Sequence, residues 1–564
     1  MKSKILIIFL LLCNYLFSQT EFFPQYPNPV KIPISLSATF AEIRTNAFHA
    51  GVDIRTQGVE GKEVFAVADG YVSRIGVSPY GYGKVLYITH DDGFTSVYAH
   101  LSKFNKTIGE FVKNRQYEGK SFAQNILLEE NEFPIKRGDF LGFTGNSGSS
   151  GGPHLHYEIR YTDTQEPVNP FFFGLKIKDN IKPCIKGFAL YPLENSMINY
   201  QDTAVYVDVV NDAYILENPI FNVSGDVAFG INVFDQADGS SNKNGPYSIE
   251  LFAEDALIFG ITSYKYSYSE TRYVNSLIDY SYFIKNNERF IRTEIDEFNE
   301  LSVYDERNGV VTVNEGDTLN MKYVVKDYNN NVSTLDFTLI GVKSPAFERN
   351  ENISNLSYNI LAEKSSEINM EGFEVDIPKL AFYRNLAIEV CQTDTVENVF
   401  SNYAYQLGTP EIPLHKRIKI RLKVKDEYIG DTSLYVATLD KDGDFLFLGN
   451  KIIDDFIEAQ TNVLGTYLIA KDTIAPIIKP VNFKNNGSIS DNWSLRIEIE
   501  DRETGVNKYE MYVNEKWVLA DYDAKNNLLI YQIDNHIKEG HNKLDVIVTD
   551  MVGNKCIYST TLRR

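Results

Sequence analysis

The stretch GNSGSSGGPHLHYEIR, residues 145–160, joins a run of glycines and serines to an alternation of polar and apolar residues. Alternation with a period of two is typical of a half-buried β-strand, in which residues two apart lie on one face. His154, His156, Glu158 and Arg160 therefore share a face, and the residues between them form an apolar face. Two imidazoles ~6 to 7 Å apart along one strand suit a metal ligand and a catalytic partner.

The glycines and serines of this stretch also match weaker motifs. Gly148 to Gly152 fits the G-x-S-x-G string, but a nucleophile elbow needs a helix after it, and here Pro153 and a strand-like run follow. We therefore do not expect Ser150 to be a nucleophile. The sequence contains no G-x-x-x-x-G-K-[ST] phosphate loop.

A separate acidic motif, DKDGD at 440–444, begins like a calcium-binding loop. Its twelfth position is Lys451, where a calcium loop has a glutamate, so a hairpin turn is the better prediction.

The histidines are unevenly distributed along the chain. Five of the eight fall between His49 and His156. His49 and Asp53 are four residues apart in FHAGVDI, and a straight strand would hold them ~13 Å apart, so joint ligation requires a bend, for which Gly51 is well placed. Two histidines and one carboxylate leave the fourth position of a tetrahedral zinc ion open, which is typical of a hydrolytic site.

Most histidines in β-rich domains are structural, and an H-x-H pair also arises by chance. His90 lies at a strand end before a turn, which favours a structural role. His415, His536 and His541 have no partners at ligand spacing. The combined pattern of the remaining four histidines is what supports a metal site.

Three segments together resemble a known family. FHAGVDI (48–54), VYAHLS (97–102) and GNSGSSGGPHLHYEIR are similar to the signature segments of the lysostaphin-type, or LytM-domain, zinc endopeptidases, over about residues 35–175. The resemblance implies one Zn²⁺ per chain, with His49, Asp53 and His156 as ligands and with His100 and His154 as catalytic residues. It also implies an active site in a groove on an antiparallel β-sheet and a peptidoglycan peptide as substrate.

Composition and the N-terminus restrict partners and location. A formal net charge of −21 makes nucleic acid and anionic membranes poor partners. Residues 1–18 combine two lysines with a short apolar run, which predicts a signal peptide and export to the periplasm, the cell envelope or the medium. Lipidation of Cys13 is disfavoured because Leu12 precedes it. No other stretch is apolar for long enough to span a membrane, and the four scattered cysteines do not indicate a disulfide framework.

The pattern of short strands and glycine-rich turns predicts an all-β chain. We assign residues 19–175 to the metallopeptidase domain, with an insertion at about 102–134 that we expect to contain a helix and to line or cover one end of the groove. Three β-sandwich, Ig-like domains follow. We name them module A (176–342), module B (343–470) and module C (471–564).

Modules A and C share a weak internal repeat. KDNIKPCI (178–185) matches KDTIAPII (471–478), and VKDYNNN (325–331) matches VTDMVGN (548–554). Between these segments, each module has a strand that ends in an aspartate, Asp235 or Asp501. The shared pattern predicts two related modules.

These features predict an exported zinc endopeptidase that hydrolyses peptide cross-links of peptidoglycan. One alternative is a noncatalytic envelope scaffold or an activator of another wall hydrolase, with the β-sandwich modules binding an envelope protein. Another is an endopeptidase acting on secreted proteins. The sequence does not predict which bond is cleaved, because that depends on the shape of the groove.

Overall fold

The computed structural model describes residues 22–130, 132–209, 214, 216–307, 309–343, 357–393 and 399–564. The predicted signal peptide lies outside the described residues. The described chain is nearly all-β, which confirms the predicted fold class. Within these ranges, no helix has the length and apolar character needed to cross a membrane.

The N-terminal unit, residues 22–175, contains fourteen described strands, one α-helix and one short 3₁₀ helix. The elements are β1 (Leu36–Ala38), β2 (Ile43–Arg44), β3 (Ala47–Phe48), β4 (Val52–Arg55), β5 (Glu63–Phe65), β6 (Gly70–Val77), β7 (Lys84–His90), β8 (Phe94–Leu101), β9 (Lys103–Phe104), α1 (Lys106–Gly119), β10 (Gln124–Leu127), β11 (Pro134–Ile135), β12 (Phe140–Phe143), β13 (His154–Tyr161), β14 (Pro167–Val168) and the 3₁₀ helix Pro170–Phe173.

The main sheet of this unit has the order β1-β4-β13-β8-β7-β6-β10, and all its pairs are antiparallel. Along β13, Leu155, Tyr157 and Ile159 belong to the hydrophobic core, as the alternation predicts. The intervening polar residues face the other side of the sheet. Strands β4, β13 and β8 are neighbours, so segments distant in sequence meet on one face.

The predicted insertion contains the expected helix. The side chain of Asn105 accepts a hydrogen bond from the Ile108 amide at the start of α1, and Ile108 and Val112 join the core. The position of the segment differs from our expectation, because β10 pairs with β6 at the far edge of the sheet. Two strands, β6 and β7, separate β10 from β8, so β10 extends the sheet at its edge. The helix α1 packs on the core side of the sheet instead of covering the predicted groove.

Module A consists of two sheets that share one long strand. Its elements are β15 (Cys184–Pro192), β16 (Met197–Ile198), β17 (Val205–Asp208), β18 (Ile220–Phe234), β19 (Ser248–Ala253), β20 (Ala256–Thr262), the 3₁₀ helix Thr271–Tyr273, α2 (Val274–Leu277), α3 (Tyr280–Asn286), β21 (Ile291–Arg292), β22 (Tyr304–Arg307), β23 (Val310–Val313), β24 (Thr318–Lys326) and β25 (Val332–Gly341). The first half of β18 pairs in parallel with β25, and its second half pairs with β15. Gly225, with φ of +84°, lies between the two halves.

Module B is formed by a sheet of order β26-β29-β30-β36-β32-β33 and a sheet of order β27-β28-β31-β35-β34. Its elements are β26 (Ser357–Ile360), β27 (Ser366–Met370), β28 (Phe373–Ile377), β29 (Leu386–Thr393), β30 (Ala404–Leu407), β31 (Ile418–Lys423), the 3₁₀ helix Asp426–Tyr428, β32 (Leu434–Leu439), β33 (Phe445–Gly449), β34 (Lys451–Ile453), β35 (Phe456–Thr461) and β36 (Gly465–Lys471). The DKDGD motif forms the turn between β32 and β33, as predicted, and Asp440 accepts two amides of that turn.

Module C has two four-stranded sheets, of order β37-β38-β42-β41 and β40-β39-β43-β44. Its elements are β37 (Ile477–Pro480), β38 (Ser494–Glu500), β39 (Val506–Val513), β40 (Lys516–Trp517), β41 (Asp521–Asp523), the 3₁₀ helix Ala524–Asn526, β42 (Leu528–Gln532), β43 (His541–Asp550) and β44 (Lys555–Arg563). The order β40-β39-β43-β44 repeats the order β20-β19-β24-β25 of module A.

Modules A and C, the sister modules that share the sequence repeat, both contact the N-terminal unit. In module A, the Tyr266 hydroxyl donates to the Phe48 carbonyl at 3.2 Å. In module C, Trp517 packs edge-on against Tyr117 of α1, with ring centroids 5.5 Å apart. The N-terminal unit therefore contacts both module A and module C.

The three described cysteines, Cys184, Cys391 and Cys556, form no disulfides.

Candidate metal centre

Three predicted ligands converge at the start of β13. Asp53 on β4 is the register partner of His156 on β13, and His49 lies in the bend between β3 and β4. The Asp53 Oδ1 atom lies 2.8 Å from His156 Nδ1 and 3.0 Å from His49 Nε2, and the two imidazole nitrogens are 3.0 Å apart. All three residues are buried.

The bend between His49 and Asp53 depends on a close approach of two strands. A Cβ atom on Gly51 would lie 2.2 Å from the Tyr157 carbonyl oxygen and 2.8 Å from the Glu158 side chain. The sequence predicts the bend and its glycine, but the physical reason is this contact with β13.

The hydrogen bonds of the two histidines fix which nitrogen faces the cluster. His49 Nδ1 lies 2.7 Å from the Thr39 carbonyl oxygen, and His156 Nε2 lies 2.7 Å from Glu158 Oε1. Since both partners accept, both of these nitrogens carry hydrogen, and the opposite nitrogens present lone pairs to Asp53 Oδ1. Three acceptors facing one point require a cation, and two imidazoles with one carboxylate are a donor set that suits Zn²⁺.

The ionisation of the cluster reflects the same convergence. Burial alone would lower the pKa of His156, but hydrogen bonds to Asp53 and Glu158 raise it to about 9. Burial would raise the pKa of Asp53, but the neighbouring His49, His154 and His156 hold it well below its usual range. The buried Asp53 carboxylate therefore stays ionised.

Glu158 connects His156 to three further side chains. Its carboxylate accepts hydrogen bonds from Tyr82 at 2.5 Å, from Arg160 at 2.6 Å and from Tyr268 of module A at 3.1 Å. Burial would raise the pKa of Glu158, but Arg160 and His156 lower it to about 2. Glu158 therefore stays charged and orients His156, which is the role of a carboxylate behind a metal-binding histidine.

Arg44 holds the second oxygen of Asp53. Its guanidinium lies 2.9 Å from Asp53 Oδ2, which leaves Oδ1 for the cluster. Glu158 and Arg160 lie on the predicted site face, although the sequence predicts no role for them. No sequence pattern marks Arg44, Tyr82 or Tyr268.

His154 and His100 lie beside the cluster with their rings 4.8 Å apart. His154 Nδ1 donates to the Gly152 carbonyl at 2.8 Å, and His154 Nε2 lies 3.4 Å from Asp53 Oδ1. His100 Nδ1 donates to the Ser147 carbonyl at 2.9 Å. Each ring therefore keeps Nε2 as its lone-pair nitrogen.

The orientation of His100 comes from an irregularity in β8. The pairing of β7 with β8 shifts register between Lys84 and Leu86, and His100 adopts a left-handed φ of +58°. Such bulges re-aim a side chain at functional sites. Burial, together with the nearby His156 and His154, lowers the pKa of His100 to about 3, so this imidazole is neutral.

Two other residues considered in the sequence analysis have structural contacts. His90 bonds to the Asp69 carbonyl and to Ser96, away from the cluster, in agreement with its predicted structural role. Ser150 donates to the Gly152 carbonyl at 2.8 Å, and the strand β13, not a helix, follows its loop.

The glycine-rich loop borders an open cavity between the N-terminal unit and module C. The cavity measures about 540 Å³ and is lined on one side by residues 148–151 and on the other by residues 524–526. Lys525 donates to the Ser150 carbonyl at 3.1 Å and to the Asn146 carbonyl. The side chain of His154 is 14% exposed, against 5% for His156.

A comparison with family models identifies two parts of the chain. The model of peptidase family M23 matches residues 47–126, which include His49, Asp53 and His100. The N-terminal unit is an M23, LytM-type, domain. A second model, the Zu5-like domain, matches residues 357–472, which correspond to module B.

Curated relatives match about a quarter of the chain. The chain is 33% identical over 133 residues to the DD-carboxypeptidase/endopeptidase Mpg of Neisseria meningitidis, a match that covers 24% of each chain. It is 30% identical to the cell division protein DipM of Caulobacter vibrioides over 24% of this chain and 18% of that protein. It is 32% identical to the murein hydrolase activator NlpD of Escherichia coli over 21% of this chain and 24% of NlpD. The chain thus spans about a quarter of the length of these relatives.

Solved structures with similarity to the chain include the catalytic domain of lysostaphin from Staphylococcus simulans. The identity is 22%, the match covers 25% of this chain and 91% of that domain, and the TM-score is 0.19. The family assignment rests on the sequence matches.

Proposed function

We propose that this protein is an exported zinc endopeptidase that hydrolyses peptide cross-links of peptidoglycan. The observation that carries the proposal is the convergence of His49 Nε2, Asp53 Oδ1 and His156 Nδ1 beside two further histidines whose Nδ1 atoms are held by backbone carbonyls. A closed structural zinc site would use a fourth protein ligand, whereas a hydrolytic site leaves that position for water or substrate.

The three converging residues would hold Zn²⁺, which when bound supplies a Lewis acid and lowers the pKa of water to ~7. His154 is the general base in this proposal, because its Nδ1 proton is committed to the Gly152 carbonyl and its Nε2 atom lies beside the cluster, 3.4 Å from Asp53 Oδ1. It accepts the proton of the attacking water and returns it to the leaving amine.

His100 has a different role in the proposed reaction. Its low pKa keeps it neutral, and its Nδ1 proton is held by Ser147. In this proposal it positions the water and the substrate next to His154, and the ring separation of 4.8 Å is short enough for both imidazoles to act on one reacting group.

The substrate class is supported by the curated relatives. They include a DD-carboxypeptidase/endopeptidase and a murein hydrolase activator, and murein is the peptidoglycan of the bacterial cell wall. His154 is the more exposed of the paired histidines, and the glycine-rich loop that precedes it borders the cavity shared with module C.

The proposal is tested by digesting purified peptidoglycan with zinc-loaded mature protein and analysing the fragments by mass spectrometry. The parallel samples are a His154→Ala variant, a chelator-treated sample and, as a control for histidine removal, a His541→Ala variant at an exposed position of module C. We expect new fragments only with the wild type and with His541→Ala. Identical fragment patterns in all four samples would remove the enzyme proposal.

A second candidate function is activation of another wall hydrolase. It is favoured by the relatives named as murein hydrolase activators and by the contacts of modules A and C with the M23 domain. In that case, wild type and His154→Ala should raise the fragment yield of an added peptidoglycan hydrolase equally. Cleavage of casein with no cleavage of peptidoglycan would instead indicate an endopeptidase for secreted proteins.

A further inference from the structure

Two clusters of three aspartates lie outside the M23 domain. Module A contains one, and module C contains the other, and in each cluster one oxygen of every carboxylate lies within 4.8 Å of the others. The residues are Asp179, Asp235 and Asp327 in module A and Asp472, Asp501 and Asp550 in module C.

The two clusters occupy equivalent places in the sister modules. Asp179 and Asp472 lie in the segment that leads into each module, before its first strand. Asp235 and Asp501 directly follow β18 and β38, and the third aspartate stands at the end of β24 or β43. The weak sequence repeat therefore brings the same three carboxylates together twice.

The hydrogen bonds around the leading aspartates are also repeated. Asp179 Oδ1 accepts the amide of Ile181 at 3.0 Å, and Asp472 Oδ1 accepts the amide of Ile474 at 2.9 Å. Each aspartate thus uses one oxygen to fix the turn of its own segment, which leaves Oδ2 for other partners.

The third aspartate of each cluster also accepts a backbone amide of its own turn, and in module A the Oδ2 atom of Asp327 additionally accepts the side-chain amide of Asn331 at 2.7 Å. Asp327 Oδ1 accepts the amide of Asn331 at 2.9 Å, and Asp550 Oδ1 accepts the amide of Asn554 at 2.8 Å. These asparagines also donate their side-chain amides to the backbone carbonyl of the leading aspartate, at 3.3 Å in module A and 3.1 Å in module C. The loop geometry is therefore matched between the two clusters.

Buried oxygens without partners point into both clusters. Asp235 is 6% exposed and Asp550 is 0% exposed, yet Asp235 Oδ1 and Asp550 Oδ2 have no hydrogen-bond partner among the described residues. Asp550 Oδ1 already accepts the three amides of residues 552–554, so the free oxygen is the one left to face the other carboxylates. A buried, unpaired carboxylate oxygen is costly and calls for a ligand.

The carboxylates of each cluster are buried or half-buried. In module C, the Thr504 hydroxyl donates to Asp472 Oδ2 at 2.8 Å. Three carboxylates so close together repel each other unless a proton or a cation lies between them.

We propose that each cluster binds one Ca²⁺ ion, which ties the leading segment of the module to the loops after two of its strands. All donors are oxygens, as hard cations require, and the clusters have no histidine or cysteine of the kind that Zn²⁺ prefers. Main-chain oxygens or water would complete the six to eight ligands that Ca²⁺ takes.

The binding experiment uses the full mature chain, stripped of metal and reloaded with one equivalent of Zn²⁺, and counts bound ⁴⁵Ca²⁺ by equilibrium dialysis. We expect two ions per wild-type chain, one in Asp235→Asn, one in Asp550→Asn and none in the double variant. A wild type that binds no calcium, or a double variant that still binds two ions, overturns the proposal. If the wild type binds only one ion, the proposal fails for one module. That module is the one whose aspartate-to-asparagine variant still binds the ion.

Two further samples control for surface charge and for the choice of ion. Asp336→Asn in module A and Asp491→Asn in module C remove exposed carboxylates outside the clusters and should keep both ions. Mg²⁺ at tenfold excess should not displace Ca²⁺, because the smaller ion demands strict octahedral geometry. Full displacement would overturn the calcium assignment.

Thermal unfolding separates ion binding from a structural role of the aspartates. Asparagine keeps one oxygen acceptor and replaces the other carboxylate oxygen by an amide, which also removes one negative charge from the cluster, so without calcium each variant should unfold no earlier than the wild type. Calcium should raise the wild-type Tm by several degrees and leave the double variant unchanged. Variants that unfold earlier without calcium, with no calcium response in the wild type, would assign these residues to the fold alone.

Discussion

The cluster of the M23 domain and the aspartate clusters of modules A and C differ in how their donor atoms are prepared. In the M23 domain, the second polar atom of each ligand is held by a separate partner: Thr39 for His49, Arg44 for Asp53 and Glu158 for His156. In the modules, backbone amides of short turns occupy the spare oxygens. The first arrangement orients nitrogen donors, and the second gathers oxygens.

This difference has a consequence for the kind of ion and for its role. Oriented imidazoles with a buried carboxylate suit a borderline metal used in hydrolysis, whereas turns rich in carboxylates suit a hard cation that fastens loops. The two classes of site should therefore respond to different substitutions, and the expected effects run from loss of catalysis to small changes in rate.

The largest expected effect separates His154 from His156. Both His154→Ala and His156→Ala should lower peptidoglycan cleavage by roughly 10² to 10⁴-fold, because one removes the proposed base and the other a metal ligand. Zinc content, measured by atomic emission, should stay near one per chain in His154→Ala and fall in His156→Ala. Equal zinc loss in both variants would contradict the division of roles within the H-x-H pair.

Much of this centre follows from local sequence pattern. The alternation in residues 154–160 predicts one polar face and one core face of β13, and the position of Gly51 predicts the bend that brings His49 to Asp53. These features are predictable because strand periodicity and the spacing of two ligands are local. The prediction of an all-β chain is confirmed for the same reason.

What could not be predicted depends on contacts between distant segments. Tyr268 reaches Glu158 from module A, 110 residues away in sequence, and no local pattern marks it. The predicted position of α1 and β10 at the groove was wrong, because the pairing of β10 with β6 is a contact between distant segments that no local pattern indicates. The aspartate clusters were visible as a repeat, but their convergence required the fold.

The next prediction tests whether the M23 cluster needs its supporting carboxylate. Glu158→Gln should lower zinc affinity by about 10 to 100-fold, since the amide is a weaker acceptor for His156 and no longer balances Arg160. Competition with a zinc chelator measures the change. The control is Glu118→Gln on α1, an exposed position that should leave zinc affinity unaltered. Unchanged affinity in Glu158→Gln would show that the ligands are oriented without it.

A smaller effect is expected where module A supports the same carboxylate. Tyr268→Phe removes one of several hydrogen bonds to Glu158, which we expect to cost about 1 kcal/mol and thus roughly fivefold in zinc affinity. Tyr200→Phe, at an exposed position of module A, provides the matched control. If both tyrosine variants bind zinc like the wild type, module A does not contribute to the metal centre.

The smallest effect concerns the contact of module C with the glycine-rich loop. Lys525 bonds to the Asn146 and Ser150 carbonyls, and this loop also supplies the acceptors that hold the Nδ1 atoms of both proposed catalytic histidines. Lys525→Met should therefore lower kcat by about two- to fivefold, as expected for an exposed polar contact of ~0.5 to 1 kcal/mol.

Zinc content should not change in Lys525→Met, because no zinc ligand lies on this loop, and Lys516→Met serves as an exposed control on the same module. A kcat equal to that of the wild type would mean that the loop holds its geometry alone. A fall in both zinc content and kcat would mean that module C acts on the zinc ligands themselves. In that case the metal centre would not be built within the M23 domain alone, and the neighbouring modules would shape more than the substrate side.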